Sequence, residues 1–244
     1  MIPFPNLTPE QKKEFARNCF EIILSHFKKR EEDKALSIIV PGASFEQWMS
    51  FEARLALENS RDSLVINKVI DMTEEIISET NSQIPRYWTK NEHGKVDLLI
   101  GQCWGYTENG EKYYWDEGKI AFEFKIIHNN KNWRGKVESI WIDLCDPPWG
   151  KLTNKLELEN RYAIVAVIFK TYPAWITNAG GYPGQIPEEN KKEWTYQMET
   201  YLNECDQNKK LNIIKRSKPI IINDPFLIGT NNTITFYLLN AKDC

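Results

Sequence analysis

The segment that most constrains the fold is YAIVAVIFK, residues 162–170. It is apolar at almost every position and rich in β-branched side chains. A strand with one wet face alternates apolar and polar residues, whereas a run without alternation needs cover on both faces. Helices supply such cover, and helical patterns lie both before and after this run. The chain is therefore expected to form an α/β fold with residues 162–170 near the centre of its sheet.

The helical patterns come first in the chain. Thr8 suits a cap, Pro9 the first helical position, and Gln11 completes a capping box. Phe15, Cys19, Ile22, Ile23 and Phe27 then recur at helical spacing, and the charged run FKKREEDK closes the segment. Ser44 and Gln47 make a second capping pair for a helix running toward Ser60, with Phe45, Trp48, Phe51 and Leu55 as its expected apolar face. Residues 67–80 form a third helical candidate.

After Pro85 the period changes to two. Strands are expected at 86–89, 95–103 and 119–127, with a turn at 91–94 and a hairpin region over 105–118 that turns at Asn109-Gly110. VESIWIDL, residues 137–144, reads equally as helix or strand, and Pro147-Pro148 breaks the chain's regular structure just after it. A helix is expected to resume over 152–160. The loop NAGGYPGQIP precedes a helix over 187–204, and late strands are expected at 213–222 and 233–239. No linker divides the chain, so one α/β domain over 1–244 is expected, with a helical N-terminal part.

Composition removes several function classes. The chain has 31 Lys+Arg against 34 Asp+Glu, a net charge of −3, so a surface coated with basic residues is excluded, though a local basic groove is not. No apolar run approaches the roughly 18 residues that span a bilayer. The N-terminus lacks the pattern of a secretory leader. The five cysteines are widely spaced with no C-x-x-C pair, which reads most simply as reduced thiols in a cytoplasmic protein. The three histidines show no metal-site spacing, and no nucleophile elbow, P-loop or G-x-G-x-x-G occurs.

One constellation remains. Asp97 lies in the strand pattern KVDLLIG, and Glu123 and Lys125 alternate with Phe122, Phe124 and Ile126 in AFEFKI. Period two puts Glu123 and Lys125 on one face of their strand. Charges there need partners or a role, because an unpaired buried charge is costly. Two carboxylates beside a lysine suit a Mg²⁺ site that acts on a phosphodiester. The same residues also suit an exposed ion pair and a structural turn acid.

The order of these elements resembles the PD-(D/E)xK nuclease superfamily, with its restriction-endonuclease-like fold. In that family an acid ends one strand of a hairpin. The (D/E)-x-K triplet lies on the next strand, followed by a crossover helix and another strand. The resemblance covers roughly residues 44–170, and 187–244 add a C-terminal helix and strands. It implies a central mixed sheet flanked by helices. Asp97 is the first acid and Glu123-Phe124-Lys125 the triplet, with Asp97, Glu123 and the Phe124 carbonyl as metal ligands and Lys125 assisting the water. Mg²⁺ is the implied cofactor, with Mn²⁺ able to substitute, and DNA the implied partner; homodimers are common in the family. The family's helix glutamate is assigned to Glu52, on the 45, 48, 52, 55 stripe, with Glu46 as the alternative.

Three features depart from the family pattern. The residue before Asp97 is Val96 and not proline. Twenty-six positions separate Asp97 from Glu123, leaving an aromatic-rich insertion over 104–115, and prolines come after the expected crossover. Arg134, Lys136, Lys209 and Lys210 are the candidate nucleic-acid contacts, and the basic run continues with Lys215, Arg216 and Lys218. A solvated surface explains that run as well. His128 falls at a strand end. The competing reading is a non-catalytic nucleic-acid- or protein-binding module on the same fold.

Overall fold

Residues 162–169 do form the central strand. The computed structural model describes residues 7–32, 45–60, 86–93, 96–106, 112–114, 120–145, 157–171, 188–204, 210–222 and 232–242. In chain order the elements are α1 (Pro9–Glu32), α2 (Phe45–Asn59), β1 (Arg86–His93), β2 (Val96–Tyr106), β3 (Lys112–Tyr114), β4 (Ile120–His128) and α3 (Trp133–Cys145). Next come a 3-10 turn (Leu158–Asn160), β5 (Arg161–Phe169), a second 3-10 turn (Glu188–Asn190), α4 (Lys191–Asn203), β6 (Lys210–Arg216), β7 (Ile220–Ile222) and β8 (Asn232–Lys242).

The strands make one mixed sheet in the order β1-β2-β4-β5-β8-β6, with β3 paired to β2 and β7 to β8. β4 and β5 are parallel, and the other pairings are antiparallel. A parallel pair needs a crossover connection, and α3 occupies the one between β4 and β5.

Every residue from Tyr162 to Phe169 is buried. Alternation divides them between two layers. Tyr162, Ile164, Ala166 and Ile168 pack with Phe15, Phe20, Ile23 and Phe27 of α1 and Phe45, Met49 and Ala53 of α2. Ala163, Val165, Val167 and Phe169 pack with Trp133, Val137, Ile140 and Leu144 of α3 and Trp194, Met198 and Leu202 of α4. The result is a helix–sheet–helix sandwich, in which each large apolar side chain contributes roughly 1.5–3 kcal/mol by leaving water.

Several expectations need correction. The 137–144 segment is the body of α3, since Trp133, Val137, Ile140 and Leu144 recur at helical spacing and are buried. The turn after β1 is shorter than expected: Asn91 pairs with Leu98 and His93 with Val96, so only residues 94 and 95 connect the strands. Cross-strand pairing overrides the turn propensity of Asn91. The expected 213–222 strand is two strands, β6 and β7. α2 turns a different face inward, with Phe45, Met49, Ser50, Ala53, Ala56 and Leu57 buried. Phe51 is 58% exposed and Leu55 42%. Trp48 stays packed against this layer, stacked on Phe27 and Phe45, while the small side chains at 50, 53 and 56 let α2 seat closely.

Cys145 is disulfide-bonded, so the expectation of uniformly reduced thiols is corrected. Cys19 is a buried free thiol, and burial pushes its ionisation well above the ordinary range. Residues 67–80, Ser44, Asn109-Gly110, Pro147-Pro148 and the 178–187 loop lie outside the described residues. Among the described residues, no helix is long and apolar enough to cross a membrane.

Candidate functional site

The antiparallel ladder between β2 and β4 pairs Ile100 with Ile120, Leu99 with Ala121 and Leu98 with Phe122, and there it stops. Carried one residue further, the same register sets Asp97 level with Glu123. Facing residues of an antiparallel pair project to the same side of the sheet. Leu99 and Ala121 lie in the α3–α4 layer, so this is the side on which Asp97 and Glu123 sit.

Beyond the last pair the two strands fork, and β4 presents amides that β2 no longer meets. The carboxylate of Asp97 accepts a hydrogen bond from the Phe124 N–H at 2.8 Å. The carboxylate of Glu46, in the first turn of α2, accepts one from the Ile126 N–H at 3.2 Å. Ser50, one turn further along α2, donates its hydroxyl to the Asp97 carbonyl at 2.6 Å. In an extended strand a residue's N–H and C=O point to the same edge, so the Phe124 carbonyl also faces the fork.

Glu123 is fully buried at 0% exposure. Its carboxylate lies 3.9 Å from the Lys125 ammonium, which sits 2.7 Å from the carboxylate of Asp143 on α3. Sequence reasoning missed Asp143. Its only signal is a lone acid in the last turn of an otherwise apolar helical pattern, legible only once residues 137–144 are known to be helical.

Glu52 lies elsewhere. It accepts two hydrogen bonds from Arg30, each 3.0 Å, and contacts His26, both residues being on α1. Burial opposes its charge, but Arg30 and His26 outweigh that and hold the carboxyl below the ordinary range. Of the two candidate helix glutamates, Glu52 therefore pairs with α1, and Glu46 is the one whose carboxylate reaches the strand fork.

His128 ends β4. Burial and the neighbouring charges of Lys170 and Lys136 lower its imidazole to about 4. Arg134 lies 4.6 Å above the ring of Trp133 and 5.9 Å from that of Tyr201, and Lys136 is exposed on α3. Lys209 and the side chain of Lys210 lie outside the described residues. Lys215 pairs with Glu21 of α1 at 3.1 Å, and Arg216 with Glu199 of α4 at 3.2 Å. These two neighbours therefore reach opposite layers rather than one basic surface.

The fork thus brings together Asp97, Glu123, Lys125 and the edge of Phe124, with Glu46, Ser50 and Asp143 around them. Its oxygen donors are hard, which suits Mg²⁺. Among the described residues, no group of three or more His, Cys, Asp or Glu side chains is placed to hold a metal ion. Compared with known proteins, the chain matches no family model, no curated protein and no solved structure.

Proposed function

We propose that this chain is a Mg²⁺-dependent endonuclease of the restriction-endonuclease-like fold that hydrolyses DNA phosphodiester bonds. The observation that carries the reading is the fork itself: the Asp97 carboxylate hydrogen-bonded to the Phe124 N–H, next to Glu123 in sequence, and Lys125 beside Glu123 on the same strand. The connectivity supports it, since a hairpin leads into the strand of the triplet, and a crossover helix then leads to a parallel strand.

Asp97, Glu123 and the Phe124 carbonyl are the residues that would hold the cation. Two carboxylates suffice, because Mg²⁺ keeps several waters and takes phosphate oxygens for the remainder. When bound, the metal lowers the pKa of a coordinated water and offsets phosphate charge. Lys125 supplies a fixed positive charge beside Glu123, where negative charge develops on the phosphate. Glu46 and Ser50 hold the edges of β4 and β2 so that the fork keeps its spacing.

A non-catalytic binding module on the same fold is the second reading. It is favoured by the complete burial of Glu123 and by the engagement of Lys125 with Asp143.

Cleavage of supercoiled plasmid DNA with Mg²⁺ or Mn²⁺ tests the proposal. The wild-type chain is expected to nick or linearise the plasmid. Glu123→Ala and Lys125→Ala are each expected to lose about a hundredfold or more in rate. Undiminished cleavage by both variants would sink the assignment. DNA binding without cleavage in either metal would favour the second reading.

A further inference from the structure

The acid on the crossover helix is not part of the pattern that identified the fork. Asp143 lies in the last turn of α3, the negative end of the helix dipole, where a carboxylate is disfavoured and a cation preferred. Asp is also a poor helix former. Arg161 donates to the Leu144 carbonyl at 2.9 Å, so the end of the helix has a partner that owes nothing to Asp143. What Asp143 does have is Lys125, at 2.7 Å, with both side chains largely buried. The Lys125 ammonium therefore sits between two carboxylates at unequal distances, 2.7 Å from Asp143 and 3.9 Å from Glu123.

We propose that Asp143 is a positioning residue for Lys125. It draws the ammonium toward α3 and away from Glu123, so that Lys125 does not take the Glu123 oxygens that the nuclease reading assigns to a cation. Among the described residues, the other carboxylate paired with this ammonium is Glu123, and a lysine drawn closer there competes with any metal for the same oxygens. The placement of Lys125 is a property of the folded chain alone. Its consequence for the metal rests on the nuclease reading.

Two measurements on the full chain separate these parts. The first is the ¹⁵N–¹H spectrum of the lysine ammonium groups without metal, with Lys125 assigned through Lys125→Met. A held, buried ammonium exchanges slowly enough to be seen. The Lys125 signal is expected in the wild type, lost or shifted in Asp143→Asn, and recovered in Asp143→Glu. The second is Mn²⁺ affinity by titration calorimetry. Asp143→Asn is expected to weaken it roughly tenfold or more, as loss of a group orienting a metal site does. The effect is expected to vanish when Asp143→Asn is made in a Lys125→Met background, because no ammonium remains to compete.

An unchanged Lys125 signal in Asp143→Asn would overturn the proposal. So would an equal loss of Mn²⁺ affinity with and without Lys125, which would make Asp143 structural or itself a ligand. If the wild type binds no Mn²⁺, the nuclease reading fails, and the ammonium spectrum alone decides the placement of Lys125.

Discussion

Single charged residues in this molecule are settled by neighbours that lie far away in sequence. Lys12 is 3% exposed, with its ammonium 3.2 Å from Glu159 and 3.6 Å from Glu157. Glu52 is held by Arg30 and His26. His128 is the opposite case, a base kept neutral. Burial, then Lys170 and Lys136, bring its folded value to about 4 from the ordinary 6.5. Where a folded group binds its proton less readily than the unfolded chain, the unfolded state takes up the proton first as pH falls. The His128 contribution to stability is therefore complete above about 6.5 and is lost as pH falls from there toward about 4. Imidazole titration by NMR should find His128 at about 4. Lys136→Met or Lys170→Met should each raise it, burial remaining. In His128→Gln, thermal stability should depend less on pH across this window. A His128 titrating at its ordinary value, with identical pH profiles in wild type and variant, would refute the account.

The elements divide into those specified locally and those specified by their neighbours. α1 belongs to the first kind. The Thr8 hydroxyl accepts from the Gln11 N–H at 3.3 Å, and the Gln11 side chain accepts from the Thr8 N–H at 2.9 Å. This is the reciprocal capping that the spacing predicts. Thr8→Ala should cost about 1 kcal/mol, lowering Tm by about 2–4 °C in a chain of this size. Thr8→Ser should restore most of the loss, and a Tm unchanged in Thr8→Ala would mean that the cap contributes nothing. α2 belongs to the second kind. Its inward face is chosen by the closeness with which Ser50, Ala53 and Ala56 seat, and that choice exchanges Glu52 for Glu46 at the fork. α3 combines the two: its apolar spacing is plain, while the value of Asp143 in its last turn depends on a strand that ends five residues before α3 begins.

At the scale of the molecule, the sheet separates two apolar layers. Phe27 lies at 0% exposure in the α1–α2 layer and Met198 at 0% in the α3–α4 layer. Phe27→Ala should cost about 3–5 kcal/mol and Met198→Ala about 2–5 kcal/mol. The sheet lies between them, so the two losses should add to within about 0.5 kcal/mol. Chemical denaturation of the single and double variants measures this. A strongly non-additive double variant would show that the layers are coupled through the sheet. The charge balance also takes its meaning at this scale. Lys215 and Arg216 are matched to acids in opposite layers, so this part of the basic run does not form one basic surface.

Reading the chain alone determines whatever depends on neighbours within a few residues. The cap of α1, the helical spacing of its core face and the doubly covered strand at 162–169 are all visible, because capping and the periods of 3.6 and 2 are local chemistry. Glu123 and Lys125 sharing a strand face is visible for the same reason. The tertiary structure decides the rest. Asp97 comes level with Glu123 only through the β2–β4 register, across an interval that neither strand encodes. Glu46 rather than Glu52 reaches the fork because α2 is rotated by how its small residues pack. Lys125 finds Asp143 because the crossover helix lies back across β4. Register, helix rotation and crossover placement are set by the packing of whole surfaces against one another, and no single segment carries that information.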